Sequence, residues 1–155
     1  MAKDLVKKWN IPIIPVNHVE AHLLVAMFVE QNGRIPDVKE ILPAIGLIVS
    51  GGHSQLVLMK KLGDYTLIGE TRDDAAGECF DKTARVLGLP YPGGPEIAKE
   101  ADKYEKSVFN IKLPRPMIHE KNYEFSFSGL KTAVLYDYQA RDKKERESKE
   151  YIQEM

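Results

Sequence analysis

The sequence predicts an α/β fold, and three observations carry that reading. Before residue 43, apolar residues recur at helical spacing, as in Val19, Leu23, Ala26 and Met27. From Ala44 onward the pattern changes to short, near-continuous apolar runs separated by Gly-containing turns, as in strands. After Glu70 the helical period returns and ends at Gly88, a residue suited to closing a helix.

Taken in order, Ala2 to Trp9 is a helix with Leu5, Val6 and Trp9 on one face. Ile11 to Val16 reads as a short strand, with Pro12 and Pro15 near its ends or on an edge. Asn17 is a helix N-cap, with Glu20 three residues later as in a capping box. That helix should reach Glu30 and stop at Gln31, Asn32 and Gly33, before a polar loop to Glu40. Ala44 to Ser50 reads as a strand covered on both faces. Strands at 55–61 and 65–70 follow, joined by a Gly63-Asp64 turn, so the group is an antiparallel meander. A helix from about Asp74 to Leu87 comes next. Leu89 to Pro95 is a rigid loop before a short helix, with Pro95 near its first turn. Residues 107–123 are irregular, and a last helix should run from about Gly129 to Tyr151, laced by Asp142–Arg146 and Glu145–Lys149 pairs. Both ends of the chain look cut, with no capping signal.

Composition narrows the function classes. The chain has 155 residues, 43% apolar and 29% charged, with no sign of disorder. With 22 basic and 23 acidic residues, no large one-signed field steers a ligand, and nucleic acid would need a local patch or partner subunits. Cys79 is the one cysteine, so no internal disulfide framework exists, as fits a reducing cytosol. The longest apolar run, Ile41 to Val49, holds Pro43 and Gly46 and is too short to span a bilayer. The N-terminal stretch has charges but no apolar core, so it does not read as a signal peptide.

Several residues could carry chemistry. His18 and His22, four apart on one helix, present two imidazoles on one face, as metal ligands do. The plainer alternative is two polar residues at a helix start. Glu20, at i+2, points away from them, which argues against a metalloprotease of the H-E-x-x-H type. Ser50-Gly51-Gly52-His53-Ser54 joins two apolar strands. It is either a ligand-approaching backbone or a plain Gly-Gly hairpin turn. Asp73, Asp74, Glu78 and Asp81 crowd one helix start, beyond what capping needs. The alternative is an acidic first turn plus an Asp81–Arg85 pair. The Gly93-Gly94 loop at a helix start suits a phosphate or ribose, weakly. Phe125 to Thr132 reads as a capped helix entry with two buried rings, where Lys131 could meet an anion. Cys79, with no basic neighbour in sequence, reads as packing.

The order of these pieces is more specific than any one of them. N-H-V-E-A-H, I-V-S-G-G-H-S-Q-L, D-D-A-A-G-E-C-F-D-K, Y-P-G-G-P and F-S-F-S-G-L-K-T-A together closely resemble the TsaD family, the tRNA threonylcarbamoyladenosine synthases once called glycoproteases. The resemblance covers about residues 2–140. It implies an actin-like ATPase (ASKHA) α/β architecture of two RNase-H-like lobes. Residues 1–42 would end the first lobe and residues 43–155 would begin the second. It implies transfer of a threonylcarbamoyl group from threonylcarbamoyl-AMP to an adenosine beside the anticodon of ANN-decoding tRNA. His18 and His22 match the family's histidine metal ligands, for a divalent metal, iron(II) foremost and zinc otherwise. Ile48, Val49, Ser50, Gly51 and Gly52 match its substrate-binding strand and loop, and Asp81 and Gly94 match contacts around the ribose. Asp74, Glu78 and His53 are further catalytic or substrate candidates. ATP or ADP is the other nucleotide such a cleft could take.

The family's first phosphate loop, its later Asn-containing motif and the Asp completing its metal site have no counterpart here. The reading is therefore an internal fragment of a cytoplasmic enzyme, inactive by itself. Implied partners are a paralogous TsaB-like actin-fold subunit, a TsaE-like ATPase and an upstream synthase, with no membrane. Two rivals remain: an ATP-dependent kinase of the same fold, and a non-catalytic nucleotide-binding or scaffold module. The histidine pair argues against the kinase, whose Mg²⁺ is held by carboxylates and phosphates.

Overall fold

The computed structural model describes residues 2–29 and 33–155. The chain divides into two compact units, residues 1–42 and 43–155.

Among the described residues, the first unit holds three helices: α1 (Ala2–Trp9), α2 (His18–Met27) and α3 (Val38–Ile41). Asn17 opens α2 as its sequence suggests. Its side-chain oxygen accepts from the amides of Val19 at 2.9 Å and Glu20 at 3.1 Å. Leu23 and Met27, one turn apart, are the buried residues of this helix. The strand expected at residues 11–16 does not form. Pro12 and Pro15 remove two amide donors, and Ile13, Ile14 and Val16 stay exposed. α2 stops at Met27, short of the expected Glu30, with Phe28 as its C-cap donating its amide to the Val25 carbonyl, and residues 30–32 lie outside the described residues. The expected polar loop instead contains α3. Asp37 caps it by accepting from the Lys39 amide at 2.9 Å, and Arg34 grips Glu40 through two hydrogen bonds.

The second unit begins with the predicted meander. Strands β1 (Ala44–Val49), β2 (Ser54–Lys61) and β3 (Asp64–Glu70) form one antiparallel sheet in the order β1-β2-β3. Leu47 stands opposite Leu56, and Leu58 opposite Thr66. The β2–β3 connection turns at Gly63, whose φ of +76° suits glycine. β1 is not covered on both faces as expected. Ile48 on one face is buried, but Ile45, Leu47 and Val49 share the other face and are exposed, so that face has no layer packed on it among the described residues.

Helix α4 (Ala76–Val86) follows. Gly88 at φ +75° closes it, with its amide on the Arg85 carbonyl and the Leu89 amide on the Ala84 carbonyl. These two bonds are a Schellman motif. Helix α5 (Gly93–Ala101) starts at Gly93 itself, so the two glycines are its first turn and not a loop ahead of it. The irregular stretch after it runs back along the sheet. Phe125 donates its amide to the Glu70 carbonyl and accepts from the Arg72 amide.

The last predicted helix is three. Helix α6 (Ser128–Ala140) ends at Arg141, and α7 (Lys143–Arg146) and α8 (Lys149–Glu154) follow. The physical reason is local capping. Asp142 accepts from the Glu145 amide and Ser148 from the Tyr151 amide, each restarting the chain. Asp142 and Glu145 are therefore not used in the expected pairs with Arg146 and Lys149. Arg141 instead binds Asp137 at 2.6 Å and lies 5.1 Å above the Tyr151 ring. The fold-back buries Tyr151 completely, and its hydroxyl donates to Asp137 at 2.9 Å. Glu154 then accepts from the amides of Val108, Phe109 and Ile111 and from the Ser107 hydroxyl.

Burial pushes the Glu154 carboxyl up. The donors from Phe109, Ser107, Val108 and Ile111 outweigh it and hold the group at about 2. Its folded pKa is depressed, so its contribution to stability is present above the ordinary carboxylate range and fades as pH falls toward 2. Glu154→Gln should lower the urea midpoint at neutral pH, and the gap from the parent should close as the titration is repeated at increasingly acid pH. A gap independent of pH would refute this charge assignment.

Candidate functional site

The two histidines lie in the first unit. α2 sets His18 and His22 one turn apart on an exposed face. Their rings meet edge to face at 4.5 Å between centroids, and the two Nε2 atoms are 3.2 Å apart. At that separation one ring can donate to the other, or both can face one cation. Two imidazole nitrogens bound to one metal at ~2.0–2.1 Å stand roughly 3–3.4 Å apart, so the pair fits a shared metal. Among the described residues, no group of three or more His, Cys, Asp or Glu converges to hold a metal ion.

The remaining candidates lie in the second unit. Ser50 to His53 is the hairpin turn between β1 and β2, and Ser50 organises it from within. Its Oγ accepts from the amides of Gly52 at 3.3 Å and His53 at 3.0 Å, and its own amide donates to the His53 carbonyl at 2.8 Å. The hairpin reading of this segment therefore holds in its geometry. Its ligand-facing possibility rests on the outer side, where nothing lies within 4 Å of a Cβ built on Gly51 or Gly52. Ile48 beneath the turn is buried, while Val49 is exposed.

The turn is seated on the first turn of α4. The Ala76 amide donates to Ser54 Oγ at 2.9 Å, and the Gly77 amide donates to the Ser50 carbonyl at 3.2 Å. Two amides that every helix leaves unpaired are thus capped by the hairpin, since Ala75 offers no side-chain cap. Ser54 is only 2% exposed, and its role as a cap for a helix more than twenty residues later has no local signal in the sequence.

Each acidic residue around α4 has a partner. Asp73 accepts from the Ser126 hydroxyl at 2.6 Å and from the amides of Phe127 and Ser128 at 2.8 and 3.1 Å. It thereby caps α6 from 55 residues away, where the sequence suggested a cap within Phe125–Thr132 itself. Burial pushes its carboxyl up, but these donors outweigh it and hold it low. Asp74 sits between Lys131 at 2.7 Å and Lys82 at 2.8 Å, and these two, Lys131 first, hold its carboxyl below the usual range. Lys82 also reaches Glu78 at 2.7 Å. Lys131 is therefore engaged by a carboxylate of the chain. Asp81 turns to the Gly93 amide at 2.7 Å, in place of the alternative pair with Arg85. That bond explains a low-propensity residue inside a helix, because Asp81 caps α5. Gly94, half-buried, stands next to it in the first turn of α5.

Cys79 is buried, and burial raises its thiol pKa, in keeping with a packing role. Phe125 and Phe127 stack at 6.3 Å but stay half-buried, beside a cavity of about 510 Å³ bounded by Leu56, Leu130 and Pro116. Among the described residues, no helix is long and apolar enough to cross a membrane.

Asp74→Asn should destabilise the chain by about 1–2 kcal/mol at neutral pH, since one carboxylate serves two partly exposed lysines. The folded pKa of Asp74 is lowered, so the loss should vanish once pH falls below that value. Chemical denaturation at several pH values checks both the size and the direction.

The sequence was compared with known proteins. The family described as "TsaD: tRNA N6-adenosine threonylcarbamoyltransferase" matches residues 1–153. A Chromobacterium violaceum protein named tRNA N6-adenosine threonylcarbamoyltransferase is 52% identical over 135 residues, which are 87% of this chain and 37% of that protein. Proteins of the same name from Bacillus subtilis and Polynucleobacter asymbioticus are each 50% identical over 134 residues, 86% of this chain and 36% and 35% of theirs. The chain spans little more than a third of the length of these relatives.

Proposed function

This chain belongs to the TsaD family, and on that premise we propose that it forms the metal-ligating and adenylate-binding segment of a tRNA N6-adenosine threonylcarbamoyltransferase. Residues 1–42 are then the end of one actin-like, RNase-H-like lobe and residues 43–155 the start of the next. The observation that carries the proposal is the Ser50–His53 turn. Ser50 ties the amides of Gly52 and His53 within the turn, and its two glycines face open space. That is a stiff backbone surface onto which a nucleotide can close.

The reaction asks little covalent chemistry of a protein. The exocyclic amine nitrogen of the tRNA adenosine bonds to the carbamoyl carbon of threonylcarbamoyl-AMP. The bond from that carbon to the phosphate oxygen breaks, AMP leaves with the electron pair, and the amine loses a proton. The mixed anhydride is already activated, so positioning and charge stabilisation carry the rate. Gly51 and Gly52 approach the adenylate with backbone alone. Asp81 fixes the start of α5, and so the place of Gly94, through the Gly93 amide. His18 and His22 would hold a divalent metal, iron(II) or zinc, together with further ligands, and that metal supplies Lewis-acid polarisation of substrate oxygens. The implied setting is cytoplasmic, with a TsaB-like subunit, a TsaE-like ATPase and a synthase that makes the adenylate.

A second reading, a non-catalytic nucleotide-binding module, draws on one observation. Asp73, Asp74, Glu78 and Asp81 all bind groups within the chain.

A graft separates the two readings. This segment replaces the matching 134 residues of the Bacillus subtilis relative, and threonylcarbamoyl transfer to tRNA is assayed. The graft should be active. His18→Ala with His22→Ala should lose metal and at least the roughly 10–100-fold that even outer metal partners contribute. A folded graft that binds AMP yet modifies no tRNA would establish the module instead.

A further inference from the structure

We infer that Gly77 is a positioning residue for the adenylate: its lack of a side chain lets the first turn of α4 seat against Ser50 and Gly51, and so fixes where the Gly51–Gly52 backbone meets the ligand. The inference rests on the reading of that turn as the adenylate-binding surface.

The need at Gly77 is for space, not for an unusual backbone. Its φ lies outside the left-handed region that favours glycine. A Cβ placed there would stand 2.7 Å from the Ser50 carbonyl oxygen and 2.9 Å from both the nitrogen and the Cα of Gly51. All three are backbone atoms, so no rotamer change relieves the contact. Carbon atoms pack at ~3.5–4.0 Å, so the turn would have to retreat by roughly 0.7–1 Å. Ser50 cannot retreat alone. Its Oγ holds the amides of Gly52 and His53, and its carbonyl holds the Gly77 amide. The turn would move as one piece, carrying Gly51 and Gly52 with it. A shift of that size takes the Gly51–Gly52 backbone out of hydrogen-bond reach of the ligand, and one lost hydrogen bond is worth about tenfold in binding. The contrast with Gly51 and Gly52 is informative. A methyl on either would point into open space and leave the fold alone. Gly77 lies beneath the turn, where it does not face a ligand.

The test uses the full-length protein containing this segment, with steady-state kinetics for threonylcarbamoyl-AMP. Gly77→Ala should raise KM about tenfold, as for one lost backbone contact to the ligand, while kcat at saturation falls far less. Gly51→Ala, which fills the ligand's side of the turn, should also raise KM. Gly129→Ala is the control, because its Cβ would meet only Pro116 at an ordinary 3.6 Å, and it should change neither constant. A raised KM in Gly51→Ala beside a normal KM in folded Gly77→Ala overturns the positioning role and leaves the binding surface standing. Unchanged KM in both overturns the binding surface, and the inference with it. If Gly77→Ala does not fold, amide exchange in the unsubstituted protein decides. Saturation with AMP should slow exchange at Gly77 together with Gly52 and His53. Protection at Gly52 and His53 without any at Gly77 would refute the coupling.

Discussion

The second unit depends on two adjacent carboxylates that point to different places. Asp73 reaches the amides that open α6, and Asp74 reaches Lys131 on the first turn of α6 and Lys82 on α4. One dipeptide thus joins the sheet's exit, α4 and α6. Neither helix carries a side-chain cap of its own at its start. Their unpaired amides are met from elsewhere, by Ser50, Ser54 and Asp73. The start of α5 follows the same rule, with Asp81 on the Gly93 amide. Three helix beginnings are thus positioned by residues outside those helices.

This arrangement changes how the acidic cluster is understood. As a sequence, four carboxylates near one helix start look like surplus chemistry. In the fold they are struts. Each neutralises a lysine or satisfies amides, which agrees with a near-neutral chain that has no dominant field. On the proposed function, the backbone of Gly51 and Gly52 and the first turn of α5 form the surface offered to the adenylate. Under that proposal backbone is a fitting instrument, because a reactive acyl donor has to be held without being attacked by a side chain.

Much of this was legible in the sequence, and the failures share a cause. The meander, α1, α2 and the Gly88 stop are local events, decided by period and by capping residues within a few positions. The strand at residues 11–16 failed because a strand needs a partner, and pairing is not a local property. The single last helix failed because the Asp142 and Ser148 side chains cap backbone amides and restart the chain twice, which a reading of charge spacing does not register. The Asp81–Arg85 alternative gave way to a bond with Gly93 for a similar reason, since packing brought α5 within reach. The ordered series of motifs indicated the family, which the comparison supports over nearly the whole chain. What periodicity could not show was the tight space around Gly77, because it depends on a hairpin more than twenty residues earlier in the chain.

The reach of these bonds also bears on how the chain comes to be folded. Asp73 waits for residues 126–128, and the segment at 107–111 waits for Glu154, 43–47 positions later. Contacts of such separation must overcome loop-closure entropy before they return anything, and they slow folding relative to helices closed locally. During synthesis the meander and α4 can assemble as they emerge. The near end of the irregular stretch between α5 and α6 has the Arg141 guanidinium over the Phe109 ring, but its backbone amides wait for the α8 carboxylate. A ribosome paused before Glu154 would therefore hold a chain with a settled sheet and a loose flank.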